Sequence, residues 1–178
     1  MHPVLETARL RLRPPTMQDL EEFGRLTSDP EVMRYLGKGV RTREETVSVL
    51  TAAIEHWDRH GFGIFVVEDL HEGTFLGRCG LRYFQNTPEV ELSYSFGRPA
   101  WGKGIASEAA KASMQFGFDR LRLERIIAIA MPENIGSRKV MEKLGMHYEK
   151  NATYFGSDHV YYAISRADFG NSAQAKIG

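Results

Sequence analysis

The sequence predicts an α/β fold of the α+β kind: a mixed, mostly antiparallel central sheet with helices on both faces, in the order β-α-α-β-β-β-α-β-α-β-β. Three observations predict it. Alternating or β-branched segments recur between turn residues, as strands require. Two Thr-x-x-acid patterns, Thr16 with Asp19 and Thr42 with Glu45, open helical stretches in the first third of the chain. A strand, a glycine-rich turn, a helix and a short apolar strand then follow one another across residues 89–130, which is a βαβ unit with an expected right-handed crossover.

The elements follow in order. Leu10 to Arg13 alternates apolar and basic residues, a half-buried strand ended by Pro14 and Pro15. A short helix runs from Thr16 to Leu26, and Asp29-Pro30 starts another turn with proline at the favoured first position. The helix opened by Thr42 carries Val49, Leu50, Ala53, Ile54 and Trp57 on one face and stops at Gly61. Residues 62–68, 75–84 and 89–96 form a meander. After it, Ala106, Ala109, Ala110, Ser113, Met114, Gly117 and Phe118 make the inward face of a helix, small enough for close approach to a sheet. Residues 126–130 are wholly apolar, as a central parallel strand should be. Asn134 caps a helix through Leu144, Gly145 terminates it, and residues 146–153 and 159–165 close the sheet.

The 178 residues suit one domain, expected over 1–170 with a frayed tail over 171–178. Lys plus Arg and Asp plus Glu are 23 each, which argues against a broad nucleic-acid surface. Residues 98–143 nonetheless hold 9 basic against 5 acidic residues, together with the glycine-rich turn, so a phosphorylated small ligand is the reading there. The single Cys79 rules out an intrachain disulfide and fits a reducing cytoplasm. No apolar run approaches the roughly 18 residues of a membrane span, and the polar N-terminus is not a signal peptide.

Three chemistries compete for the turn beginning at Gly97. Its spacing to Gly102-Lys103 matches a P-loop, but Gly104 stands where a hydroxyl must hold Mg²⁺. A dinucleotide fingerprint fails because Ser107 replaces the third glycine. A pyrophosphate loop fits better: Gly102 and Gly104 let backbone amides approach phosphate oxygens at a helix N-terminus, with Lys103 and Arg98 adding charge. A turn that uses glycine only for its dihedral angles is the plain alternative.

Trp101-Gly102-Lys103-Gly104-Ile105-Ala106-Ser107-Glu108-Ala109, followed by Asn134-Ile135-Gly136-Ser137-Arg138-Lys139-Val140-Met141-Glu142-Lys143-Leu144-Gly145-Met146, resembles the GNAT N-acetyltransferase superfamily. The opening Thr7-Ala8-Arg9-Leu10-Arg11-Leu12-Arg13 is similar to the branch of ribosomal-protein N-terminal (alanine/serine) acetyltransferases. The resemblance implies acetyl-coenzyme A as cosubstrate, no metal, and a primary amine as acceptor, either a protein N-terminus or a small molecule. It places Leu92, Tyr94 and Phe96 beside the pantetheine arm. Amides of Trp101, Gly102, Lys103, Gly104, Ile105 and Ala106 would hold the pyrophosphate, with Arg98 nearby. Asn134 would lie at the pantetheine and Arg138 or Lys143 near the adenosine phosphate. Homodimers are common among such proteins.

The chain departs from the superfamily pattern at Pro99, where a glutamine or arginine is usual, and at Met141, where many members place a tyrosine. A thioether cannot donate a proton to a leaving thiolate; Ser137 matches the serine that substitutes in this branch, and equally suits a small helix-start residue. A base is needed because aliphatic amines are mostly protonated near neutral pH. Glu89 and Glu91 share a strand face, and Glu91 aligns with a carboxylate common in the branch, acting directly or through water. Oxyanion donors would be backbone amides where residues 92–96 splay from the next strand.

Other candidates read as structure. Cys79 is a small buried hydrophobe, Trp57 packs a helix, and His56 with His60 lack a third metal ligand. Tyr83, Phe84, Tyr94, Tyr154, Tyr161 and Tyr162 are core aromatics that could also line an acceptor cleft. Asp19, Glu21, Glu22, Glu44 and Glu45 read as solvated helix faces. A non-catalytic acyl-coenzyme A sensor is the competing function.

Overall fold

The computed structural model describes residues 2–174. Its strands are β1 (Leu5–Glu6), β2 (Leu10–Arg13), β3 (Ile64–Asp69), β4 (Phe75–Tyr83), β5 (Val90–Phe96), β6 (Arg125–Ala130), β7 (His147–Tyr154) and β8 (Ser157–Ser165). Its helices are α1 (Leu20–Ser28), α2 (Pro30–Met33), α3 (Arg43–His60), α4 (Ile105–Asp119), α5 (Ile135–Lys143) and α6 (Arg166–Gln174). One sheet holds all eight strands in the order β1-β2-β3-β4-β5-β6-β8-β7, antiparallel everywhere except between β5 and β6.

The sequence reading missed β1 and α6. β1 is two residues long, too short for periodicity to mark it. α6 covers residues 171–174 of the expected tail, and residues 175–178 lie outside the described residues. A 3₁₀ turn, Met17–Asp19, precedes α1.

Local signals explain the helix ends. At α3 the Glu45 amide donates to Thr42 Oγ1 (3.2 Å) and the Thr42 amide to the Glu45 carboxylate (2.8 Å), a reciprocal cap. Asp29 accepts from the Glu31 amide at the start of α2. Asn134 Oδ1 accepts from the Ser137 amide (3.1 Å) and so opens α5.

Period-two alternation sorts side chains between the two faces. Phe65 and Val67 of β3 join the main core with Ala109, Ala110 and Met114 of α4, while Val66 packs against Phe23 of α1 and Leu50 of α3. That is why residues 64–67 form a continuous apolar run: both faces are covered. Gly117 allows the closest approach of α4, because a Cβ there would stand 2.6 Å from Leu81 Cδ1. The Trp57 indole nitrogen donates to the Ile64 carbonyl (2.9 Å), which satisfies the one polar atom of that buried ring.

Asp19 corrects the expectation of a solvated acidic helix face. It is buried and takes two bonds from the Arg13 guanidinium, at 2.6 and 3.0 Å, while Arg13 also meets Glu68 at 2.6 Å. Burial opposes ionisation of Asp19, but the Arg13 bonds and the Thr16 amide overcome it and hold the carboxyl below its usual value. The folded pKa is therefore depressed, so this stabilisation is present above the ordinary Asp value of 3.8 and is lost as pH falls below it. Arg13→Met is expected to cost about 3 kcal/mol at neutral pH. Its urea midpoint should also fall less steeply than the parent's between neutral and acid pH; parallel pH profiles would show that the network contributes nothing.

Candidate active site

The site originates in one break of register. β5 pairs with β4 along its whole length, from Val90 with Tyr83 to Phe96 with Gly77. With β6 it shares one pair, Glu91 with Ile127, although β6 pairs fully with β8 on its other side. Beyond that pair the two parallel strands diverge, and backbone groups on the free edge of β5 meet no strand. A cavity of about 1060 Å³ opens in the gap, lined among others by Leu92, Tyr94, Ala128, Ala130 and Asn134.

The alternation of β5 gives this cavity two sides. Leu92 and Tyr94 register with Leu81 and Cys79 on the face covered by α4. Glu91, Ser93 and Ser95 register with Arg82, Gly80 and Arg78 on the opposite face. The lining of this one cavity spans both faces of β5, from Ile105 and Ala106 of α4 in a first chamber to Val49 and Ala53 of α3 in a second.

At the mouth of the first chamber, Gly102 (φ 71°) and Gly104 (φ 75°) take the left-handed conformation that turns the chain into α4. Among the described residues, no acceptor meets the amides of residues 102–107. They cluster at the N-terminus of a 15-residue helix, the arrangement that favours an anion. The Trp101 amide is the exception to the expectation: it donates to the Arg98 carbonyl and closes a 3₁₀ turn, Arg98–Ala100. Trp101, Gly102, Gly104, Ile105, Ala106 and Ser107 line the cavity.

The loop is tied from behind by residues nearly a hundred positions away. Arg9 Nη1 donates to the Lys103 carbonyl (3.0 Å), and its guanidinium pairs with Glu108 at 2.6 Å. Thr7 Oγ1 donates to the same carboxylate at 2.6 Å. Burial opposes ionisation of Glu108, and the Thr7 and Arg9 bonds outweigh it, so the carboxyl lies below its usual range and stays charged. The Thr7-Ala8-Arg9 segment at the chain's start is therefore a buttress for the glycine turn.

The expected cations stand elsewhere. Arg98 points to Asp29 at the start of α2 (2.9 Å) and does not line the cavity. The Lys103 side chain is exposed and outside it, its backbone alone facing the turn. Arg138 folds back onto the Pro132 carbonyl (3.2 Å), and Lys143 is exposed on the last turn of α5; neither lines the cavity. Nearness in number places only Arg98 and Lys103 by the glycines, the resemblance places Arg138 and Lys143, and in the fold Asp29 engages Arg98 and the Pro132 carbonyl engages Arg138.

Glu91 is 4% exposed and lines the cavity. Arg82 Nε donates to its Oε2 (3.0 Å), and its Oε1 has no hydrogen bond among the described residues. Glu89 accepts from the Tyr161 hydroxyl and lies outside the cavity, which separates the two carboxylates. On the other side of the gap, Tyr94 Oη and Ser137 Oγ are 2.8 Å apart. Burial raises the Tyr94 phenol well above its ordinary value, so it remains protonated. Met141 is fully buried in the core, and no hydroxyl other than Tyr94 comes within hydrogen-bond reach of Ser137 among the described residues.

The remaining candidates resolve simply. Burial pushes the Cys79 thiol up to about 12, leaving it inert beside Ser113. His56 and His60 are neighbours, but His56 Nδ1 meets the Phe62 carbonyl (2.7 Å) and Nε2 receives the Tyr83 amide. No group of three metal-ligating side chains occurs among the described residues. Of the six aromatics, Tyr83 and Tyr94 line the cavity, while Phe84, Tyr154 and Tyr161 form a separate cluster and Tyr162 joins the core.

Sequence reasoning missed Arg41, Arg78 and Arg82, all of which line the second chamber. A signal existed for two of them. Arg78 and Arg82 lie four positions apart on one strand, hence on one face, in the strand that pairs with Glu91.

The sequence profile of the acetyltransferase (GNAT) domain matches residues 9–147. An uncharacterized protein of Bacillus subtilis, YkkB, is 36% identical over 151 residues, covering 82% of this chain and 86% of its own. The uncharacterized N-acetyltransferase YnaD of the same organism is 32% identical over 166 residues, covering 90% and 95%. A GNAT-family acetyltransferase structure from Bacillus anthracis superposes with a TM-score of 0.82 at 32% identity, covering 93% and 99%. The ribosomal L7/L12 N-acetyltransferase RimL, solved with coenzyme A, shares the fold at a TM-score of 0.79 and 18% identity, covering 92% and 98%.

Proposed function

The chain belongs to the GNAT acetyltransferase family, and on that premise we propose that it transfers an acetyl group from acetyl-coenzyme A to a primary amine by direct attack in a ternary complex. The divergence of β5 from β6 after the Glu91–Ile127 pair carries this reading. It leaves strand amides free inside a cavity whose mouth is a turn of unclaimed backbone donors, a chain of sites suited to a long amide-bearing diphosphate. A relative of the same fold was solved with coenzyme A.

Acetyl-coenzyme A supplies a thioester whose carbonyl carbon accepts the amine nitrogen as its carbon–sulfur bond breaks. The amides of residues 102–106 hold the diphosphate, with the Trp101 amide excluded by its bond to Arg98. Asn134 shapes the chamber wall while capping α5. Glu91 takes the acceptor's proton at Oε1, while Arg82 on Oε2 fixes the plane of the carboxylate. Backbone N–H groups on the free edge of β5 donate to the charge that develops on the carbonyl oxygen. Ser137, its hydroxyl beside Tyr94 and its amide held by Asn134, passes its hydroxyl proton to the departing sulfur and is reprotonated from solvent, to which Glu91 releases the acceptor's proton. No helix among the described residues is long and apolar enough to cross a membrane, and the single, buried, reduced Cys79 suits a cytoplasmic enzyme.

Incubating the purified protein with labelled acetyl-coenzyme A and a panel of primary amines tests the reading. Label transfer to an amine with matching thiol release is expected. Tight coenzyme A binding with no transfer to any amine would identify a sensor instead. Within that assay Ser137→Ala is expected to lower kcat by about 100-fold, with the KM for acetyl-coenzyme A little changed. An unaltered kcat would remove Ser137 from proton delivery.

A further inference from the structure

The second chamber carries more positive charge than its structure consumes. Arg78 is 8% exposed, and its single hydrogen bond is from Nε to Ser95 Oγ (2.9 Å). Its two terminal nitrogens have no acceptor among the described residues and are not sealed from the cavity that Arg78 lines. Arg41, half-buried on the same wall, has no ion pair or side-chain hydrogen bond among the described residues. Burial and the nearby Arg82 and Arg41 pull the Arg78 group down to about 10, so it remains cationic at neutral pH.

The chamber's carboxylates are already committed. Glu91 holds Arg82, and Glu31 faces Arg34 at 3.9 Å near the rim. Burial lowers the His56 pKa, so that ring adds no charge at neutral pH. The five acidic residues of the first-half helices that could have drawn a cation lie outside the cavity. Glu91 acts electrostatically on Arg78 and Glu45 on Arg41, but neither guanidinium makes an ion pair or a carboxylate hydrogen bond among the described residues, and burying a cation without a bonded partner is costly unless one arrives.

We propose that Arg41 and Arg78 bind the carboxylate of an amino-acid acceptor whose amine is presented to Glu91. This rests on the transferase reading and narrows its acceptor class. A guanidinium fork matches a carboxylate in two parallel bonds, which fixes orientation as well as charge. Ser93 and Ser95, on the same face of β5, add hydroxyls beside Arg78. A polycation entering the chamber would meet repulsion from both free arginines.

The test uses acetyl transfer and equilibrium binding with the same ligands: free amino acids, their carboxamides, short peptides with an acidic first residue, and spermidine. Amino acids are expected to exceed their carboxamides in kcat/KM by at least about tenfold, the loss of one charged pairing. Arg78→Met and Arg41→Gln should each collapse that ratio while coenzyme A affinity holds. Arg78→Lys should restore part of it. Acidic peptides matching the free amino acids would extend the same carboxylate site to protein N-termini. Carboxamides or spermidine acetylated as well as amino acids, with the ratio unmoved by either variant, would overturn the proposal and leave the transferase reading intact. Carboxylate binding measured by calorimetry with coenzyme A present, lost in Arg41→Gln but without transfer to any amine, would uphold the anion site and reject the transferase. No arginine-dependent binding in calorimetry would overturn the anion site whatever the turnover. If Arg78→Met does not fold, the half-buried Arg41→Gln carries the comparison.

Discussion

Glu91→Gln is expected to lower kcat at neutral pH by about 1000-fold while leaving coenzyme A affinity unchanged, the scale of a lost general base. The amide keeps the shape of the carboxylate and can still accept a bond from Arg82, so the strand pairing that places residue 91 beside the gap survives. What disappears is a proton acceptor at Oε1. The sign of the pH dependence follows. An aliphatic amine gains about tenfold in neutral fraction per pH unit below its pKa, so the variant's deficit should shrink as pH rises from about 6 to 9. Steady-state kinetics across that range check it. A variant with parental turnover throughout would take Glu91 out of the reaction.

The second large effect concerns the glycine turn. In Gly102→Val with Gly104→Val, two β-branched residues are forced to φ near 71° and 75°, where L side chains are strained. Their Cβ atoms meet open space at Gly102 and only Arg9 Nη2 at 3.6 Å at Gly104, so the body of the fold should persist. The amides would no longer converge on one anion. Losing two charge-assisted hydrogen bonds costs about 4 kcal/mol, roughly 1000-fold in affinity. Calorimetry with coenzyme A measures it directly. Affinity within a few-fold of the parent would show that the turn does not hold the diphosphate.

The buttress behind that turn shows how far the sequence could be read. Thr7, Arg9 and Glu108 all lie in segments whose spelling marks the family resemblance, yet nothing local says that Arg9 reaches Lys103 and Glu108 across almost a hundred residues. The capping residues Thr42, Glu45, Asn134 and Asp29 behaved as read because each acts within three positions of itself. Asp19 shows the opposite case. As a helix-start acid it reads as solvated, and only the return of β3, which places Glu68 beside Arg13, reveals a buried network.

The candidate site divides in the same manner. Glu91, Ser137, Asn134 and the glycine turn are the candidates that line the cavity, and motif spacing and strand alternation, both properties of neighbouring residues, are what singled them out. Arg98 and Lys103 are placed near the phosphates by their position in the turn, Arg138 and Lys143 by the family resemblance; in the folded chain Arg98 meets Asp29 and Arg138 the Pro132 carbonyl. Arg41 and Arg78 come from different elements, and their shared chamber exists only once β4, β5 and α3 are assembled.

By itself, then, the sequence determined the order of the longer elements, their caps, the flexible-backbone turn and the face of β5 on which Glu91 lies, since dihedral preference, hydrogen-bond reach and side-chain period act over a few residues. The tertiary structure alone decided that β5 and β6 part after a single pair, that Arg9 and Glu108 brace the turn, and that two guanidiniums with no ion pair among the described residues line one cavity. Those outcomes depend on which distant groups meet and which carboxylates are already taken, and long-range packing sets both.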